Sequence, residues 1–129
     1  MKILGISASL RNRRFAYKNE LAEDIKKIQN LDGIKSFVNN QVKITFKEIE
    51  NLNKNLSFEE NYKQLKKFKG NRGLSNSEAA LVYALWQVYR NGVDIDYLSL
   101  SNIFENENKS KISFFKKKFL ECDALLISG

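Results

Sequence analysis

Five residues carry the chemistry this sequence most clearly offers: Ser9 and Arg11 near its start, and Ser75, Asn76 and Ser77 about sixty residues later. A phosphate monoester presents three oxygens and needs several donors converging on them. The N–H groups left over at a helix start supply such donors, helped by hydroxyls and a cation. These five residues have that chemistry, and they converge if the strand before Ser9 and a helix starting at Ser75 are spatial neighbours. A purely structural reading stands beside this one, in which Ser75 caps its helix and Arg11 is a surface charge. Neither Gly-x-x-x-x-Gly-Lys-Ser/Thr nor Gly-x-Gly-x-x-Gly occurs. The chain has no histidine, which excludes histidine-based triads and argues against a zinc site.

The elements that must position these residues read well at both ends of the chain. Lys2 to Ser7 is continuously apolar and predicts a buried strand opening into the turn Ala8-Ser9-Leu10-Arg11. Ser75-x-x-Glu78 is a capping box, with serine oxygen and glutamate each satisfying a backbone donor. Leu81, Val82, Leu85, Trp86, Val88 and Tyr89 follow at helical spacing, and Asn91-Gly92 predicts the stop. Val93 to Leu98 alternates apolar and acidic residues, as a strand with one exposed face would. After a loop from Leu100 to Asn108, a helix is expected over Lys109 to Glu121, with Lys116, Lys117 and Lys118 mostly facing water. Ala124 to Ile127 is apolar throughout and predicts a strand buried on both faces. Alternating strands and helices in this order imply right-handed parallel winding.

The middle segment, 12–74, is expected to be mostly helical. Leu21, Ile25, Ile28 and Leu31 support a helix from about Tyr17, with Asp32-Gly33 as its stop. Val42 to Phe46 alternates as a strand could, while Ile34, Phe37 and Val38 before it and Ile49 after it also suit helix. Phe58, Tyr62, Leu65 and Phe68 suggest a further helix that opens near Ser57 and stops at Gly70.

The chain of 129 residues is one domain's worth, with the hydrophobic and charged content of a folded protein. No apolar run reaches the roughly 18–20 residues of a membrane span. The single cysteine, Cys122, cannot form an internal disulfide and reads as a small half-buried hydrophobe in a reducing, cytoplasmic setting. The net charge of +7 is unevenly spread: Arg11 to Arg72 holds fifteen Lys/Arg against eight Asp/Glu, and the remainder holds seven of each. Such an excess suits nucleic acid or an acidic partner, with Phe15, Tyr17, Phe46 and Phe68 interleaved among the cations, and it equally suits a solvated lysine-rich surface.

Lys2 to Arg11 resembles the opening of the NADPH-dependent FMN reductases and related flavodoxin-like oxidoreductases, in which a first strand leads into a Gly-Ser-Leu-Arg turn. Leu74 to Glu78 resembles their first-helix start, Gly92 to Leu100 their second strand, and Phe119 to Gly129 their third. The resemblance implies a flavodoxin-like three-layer α/β domain with strand order 2-1-3-4-5. Residues 1–129 would be its N-terminal half, and 12–74 an insertion in the phosphate loop. It further implies FMN as cofactor and NAD(P)H as co-substrate. Ser9, Arg11, Ser75, Asn76 and Ser77 would lie on the FMN phosphate, and Ser128 and Gly129 would begin the loop beside the flavin ring. On that reading no side chain need act as acid or base, and the rest of the flavin site lies beyond Gly129, in a longer protein of which this is a truncated or split part. The third strand would then carry an uncovered apolar edge, unless the middle segment or a second copy in a homo-oligomer covers it.

Overall fold

The structure, a computed structural model, describes residues 1–8, 20–50, 55–57, 59–60, 73–100 and 109–129. Three strands, β1 (Lys2–Ser7), β2 (Asp94–Ser99) and β3 (Ala124–Ser128), form an all-parallel sheet in the order β2-β1-β3. Four helices accompany them: α1 (Leu21–Lys26), α2 (Leu31–Glu50), α3 (Asn76–Arg90) and α4 (Lys109–Glu121). The architecture is therefore α/β, and its order is compatible with the first three strands of the expected series.

Strand alternation divides the core in two. Ile3, Ile95, Tyr97 and Leu126 face α3, whose Leu81, Val82, Leu85 and Trp86 pack down on them with Leu21, Ile25, Ile34 and Val38 of α1 and α2. Leu4, Ile6 and Leu98 face the other way, onto Phe115 and Cys122 at α4. Each such buried side chain stabilises the fold by about 1.5–3 kcal/mol. Gly5 is what lets α3 come close, since a Cβ there would stand 2.6 Å from Cδ1 of the fully buried Leu85.

The helix boundaries follow local hydrogen bonds. Ser75 caps α3, its Oγ accepting from the Glu78 N–H at 3.2 Å. The other end closes with Gly92 N–H on the Tyr89 carbonyl and Val93 N–H on that of Val88, Gly92 taking φ +88°. Ser57 and Glu60 exchange reciprocal cap bonds, each 3.3 Å, in keeping with a helix opening there; the remainder of that expected helix lies outside the described residues, as do Tyr17 and most of the 100–108 loop.

Three expectations need correction, and one open alternative is decided. Asp32-Gly33 does not stop a helix but lies in the first turn of α2, where Asn30 accepts the Gly33 N–H at 2.7 Å and acts as cap. Of the two readings open for Val42 to Phe46, helix is the one formed, as expected of a mostly helical segment, because Ile34, Val38 and Val42 at four-residue spacing place one face of α2 on the core. Lys118 does not face water: it is only 10% exposed, and its Nζ donates to Asp96 Oδ1 at 2.7 Å. Asp96, on the face of β2 expected to be open, is covered in this way. Finally, β3 is half-buried on one face and exposed on the other. Leu126 meets the α3 core, whereas Leu125 and Ile127 are 41% and 62% exposed. Leu125 and Ile127 lie on the α4 face, where Phe115 and Cys122 pack on Leu4, Ile6 and Leu98 rather than on β3.

Candidate phosphate site

The chain winds from β1 through α3 to β2, then crosses back through α4 to β3 on the far side of β1. The direction of winding reverses between β1 and β3, and in open parallel sheets a crevice forms at the carboxyl ends of the strands flanking such a reversal. The residues at that crevice are Ser7, Ala8, Ser128 and Gly129, with the first turn of α3 above them.

These parts are joined directly. Ser128 Oγ donates to the Ser77 carbonyl at 2.6 Å, and the Ala8 N–H donates to the Ser128 carbonyl at 2.7 Å. Ser75 Oγ lies 3.1 Å from Ser77 Oγ and donates to Glu78 Oε1 at 3.0 Å. Asn76 is exposed at the first position of α3, while Ser75 and Ser77 are half-buried. Because the Ser75 cap takes the N–H of Glu78, the N–H groups of Asn76 and Ser77 lie in the part of the first turn that the helical ladder does not use. Their partial positive charge, with that of the helix dipole, is what an anion would meet.

The register adds residues that the sequence reading did not single out. Ser7 pairs with Ser99 on one side and Ser128 on the other, so all three strands end on a serine in one row. By alternation the row lies on the α3 face. Ser7 is 1% exposed, and its hydroxyl has no hydrogen-bond partner among the described residues; Ser99 is also buried. A buried hydroxyl of this kind costs roughly 1–3 kcal/mol if nothing satisfies it. The signal was present as a serine following each strand's last apolar residue, Ile6, Leu98 and Ile127, but only the register aligns them.

One group opposes an anion. The Glu78 carboxylate is buried in the same first turn, stabilised by the helix dipole and the Ser75 hydroxyl, and it shares the positive potential that a phosphate would use.

Of the expected site residues, Ser75, Ser77 and Ser128 are joined by hydrogen bonds, with Asn76 and Gly129 next to them in the chain and exposed. Ser128 spends its hydroxyl on α3 and so fastens the crevice. Ser9 and Arg11 lie outside the described residues, as do Phe15, Tyr17 and Phe68. The described part of the basic segment packs against α3 through Trp86, whose Nε1 donates to the Ile28 carbonyl at 3.0 Å. Among the described residues no helix is long and apolar enough to cross a membrane. Comparison with protein-family models, curated proteins and solved structures finds no match to this chain.

Proposed function

We propose that this chain is part of a flavodoxin-like, FMN-dependent NAD(P)H oxidoreductase and that the start of α3 receives the flavin phosphate. The observation that carries the reading is the Ser128–Ser77 bond, which fixes a capped helix N-terminus over the winding reversal of a parallel sheet. The buried Ser7 hydroxyl at the end of β1, without a partner among the described residues, fits a crevice that takes a polar guest. Ser75, Asn76 and Ser77 would hold the phosphate from α3, joined by Ser9 and Arg11 of the preceding turn, with Gly129 leading toward the ring. When bound, the flavin supplies hydride transfer from the nicotinamide nucleotide to an acceptor. The protein's own share is to anchor the phosphate and orient the ring.

The test is titration of the chain with FMN, riboflavin and inorganic phosphate, followed by flavin fluorescence. FMN should bind weakly, riboflavin at least about tenfold more weakly, and phosphate should compete. Equal binding of FMN and riboflavin, or binding of neither at millimolar concentration, would sink the reading.

A further inference from the structure

Ser7 and Ser128 stand side by side in the serine row, paired in register at the carboxyl ends of β1 and β3. Their hydroxyls are used differently. Ser128 Oγ donates to the Ser77 carbonyl, which sets the level of the first turn of α3 over this row. Ser7 stands one strand spacing away, about 4.8 Å, with its side chain on the same face of the sheet and under the same turn. It is 1% exposed, and its hydroxyl meets no hydrogen-bond partner among the described residues.

The backbone at Ser7 cannot shift to find one. Its carbonyl accepts the Leu100 N–H at 2.9 Å, and the N–H of Ala8 donates to the Ser128 carbonyl at 2.7 Å. Ladders on both sides therefore fix where the hydroxyl stands. For the fold alone, alanine would serve as well or better, because a buried hydroxyl with nothing to bond is a cost that a methyl group does not carry. The turn above decides the charge of a guest. The N–H groups of Asn76 and Ser77, at the positive end of α3, attract an oxyanion and repel a cation. Glu78 in the same turn opposes the anion and lowers its affinity.

We infer that Ser7 is a binding residue of the crevice, its hydroxyl donating to one oxygen of a phosphate whose other oxygens meet the first turn of α3. The inference rests on the phosphate reading of that turn and adds to it a donor from the sheet side. It also gives Ser7 a thermodynamic sign opposite to that of Ser128. Ser128 ties the sheet to the helix whether or not a guest is present. Ser7 weakens the free chain and strengthens the loaded one. A donor fixed before the guest arrives loses little freedom on binding, and its bond to an anion is roughly twice as strong as one between neutral groups.

The test compares Ser7→Ala with the parent chain in two measurements. Urea unfolding in phosphate-free buffer reads the free chain, where Ser7→Ala should be as stable as the parent or more so. Titration with inorganic phosphate, followed by the backbone amide resonances of Asn76 and Ser77, reads the site. There the variant should bind at least about tenfold more weakly, since it lacks a hydrogen bond to a charged group. Destabilisation of the phosphate-free chain by Ser7→Ala would give the hydroxyl a structural duty, on Glu78 or on a fixed water, and overturn the inference. Equal phosphate affinity in the two chains, or amide resonances in the parent that phosphate does not move, would overturn it as well. The flavin reading is decided separately. Phosphate binding that Ser7→Ala weakens, in a chain that takes FMN and riboflavin alike, would keep Ser7 in its role and remove the flavin. A preference for FMN that Ser7→Ala leaves untouched would keep the flavin and remove Ser7.

Discussion

The hydroxyl of Ser128 donates to the carbonyl of Ser77 at 2.6 Å, binding the end of β3 to the first turn of α3. Ser77 belongs to the part of the site read most directly from sequence, whereas Ser128 entered only through resemblance. Their bond makes the crevice a property of the sheet and helix together. Ser128→Ala should cost about 0.5–1.5 kcal/mol of stability. It should also weaken FMN several-fold while leaving riboflavin unchanged. Parallel chemical denaturation and flavin titration check both; a loss of stability with unaltered FMN binding would detach the bond from the site.

Glu78 sets a limit on anion affinity. Glu78→Gln keeps a side chain able to serve in the cap but removes the buried negative charge beside Ser75 and Ser77. The variant should bind FMN and inorganic phosphate several-fold more tightly, with riboflavin unaffected. Unchanged phosphate competition would mean that the anion does not approach α3.

Lys118 and Asp96 form an ion pair that is 10% and 19% exposed and that also holds the Tyr97 carbonyl at 3.4 Å. Removing one partner strands the other charge. Lys118→Met should therefore destabilise by about 2–4 kcal/mol, and Lys118→Met with Asp96→Leu by clearly less. A double-mutant cycle in urea measures the coupling. Additive losses would show that α4 is held by Phe115 and Cys122 alone.

The N-terminal end of the sheet carries a pH dependence of definite sign. The hydrogen bond from Lys26 holds the Asp94 carboxyl below its ordinary value of 3.8. Burial alone would lower the pKa of Lys26, but the Asp94 and Glu23 carboxylates outweigh it and raise the ammonium above 10.5. The Asp94 contribution is thus present above pH 3.8 and lost as pH falls through its depressed folded value. The Lys26 contribution is present below pH 10.5 and lost as pH rises through its raised one. Asp94 is half exposed, so the pair is screened and worth under about 1 kcal/mol. Lys26→Met should be slightly less stable than the parent at pH 7 and equal to it near pH 2, as measured by denaturant midpoints. A gap that widens on acidification would reverse the assignment.

Much of the fold was legible because strong local signals agreed. β1, β2, β3, α3 and α4 each carry a strong apolar pattern, and α3 adds Ser75 and Gly92 at its ends. The segment 12–74 read less well because its local signals compete. Alternation at Val42 to Phe46 yields to the four-residue spacing that faces the α3 core, and the turn-like Asp32-Gly33 follows a cap, Asn30, instead of ending a helix. Tertiary contacts decided the rest. Lys118 looked solvated within a lysine run, and only its approach to Asp96 shows otherwise. The serine row needed strand register, which no single strand contains.

The position of β1 has a consequence for how the chain acquires its structure. This strand pairs on both sides, yet its partners arrive late: the backbone of Lys2 bonds to Asp123, 121 residues away in sequence. During synthesis the central strand emerges first and must wait, its apolar run unpaired, until both neighbours have followed. Contacts of such separation slow folding and lengthen exposure to aggregation. Until then, α1 and α2 can pack only on each other and on α3 as it emerges. Chaperone engagement with nascent chains should accordingly centre on Ile3 to Ile6 and cease once β3 has cleared the ribosome.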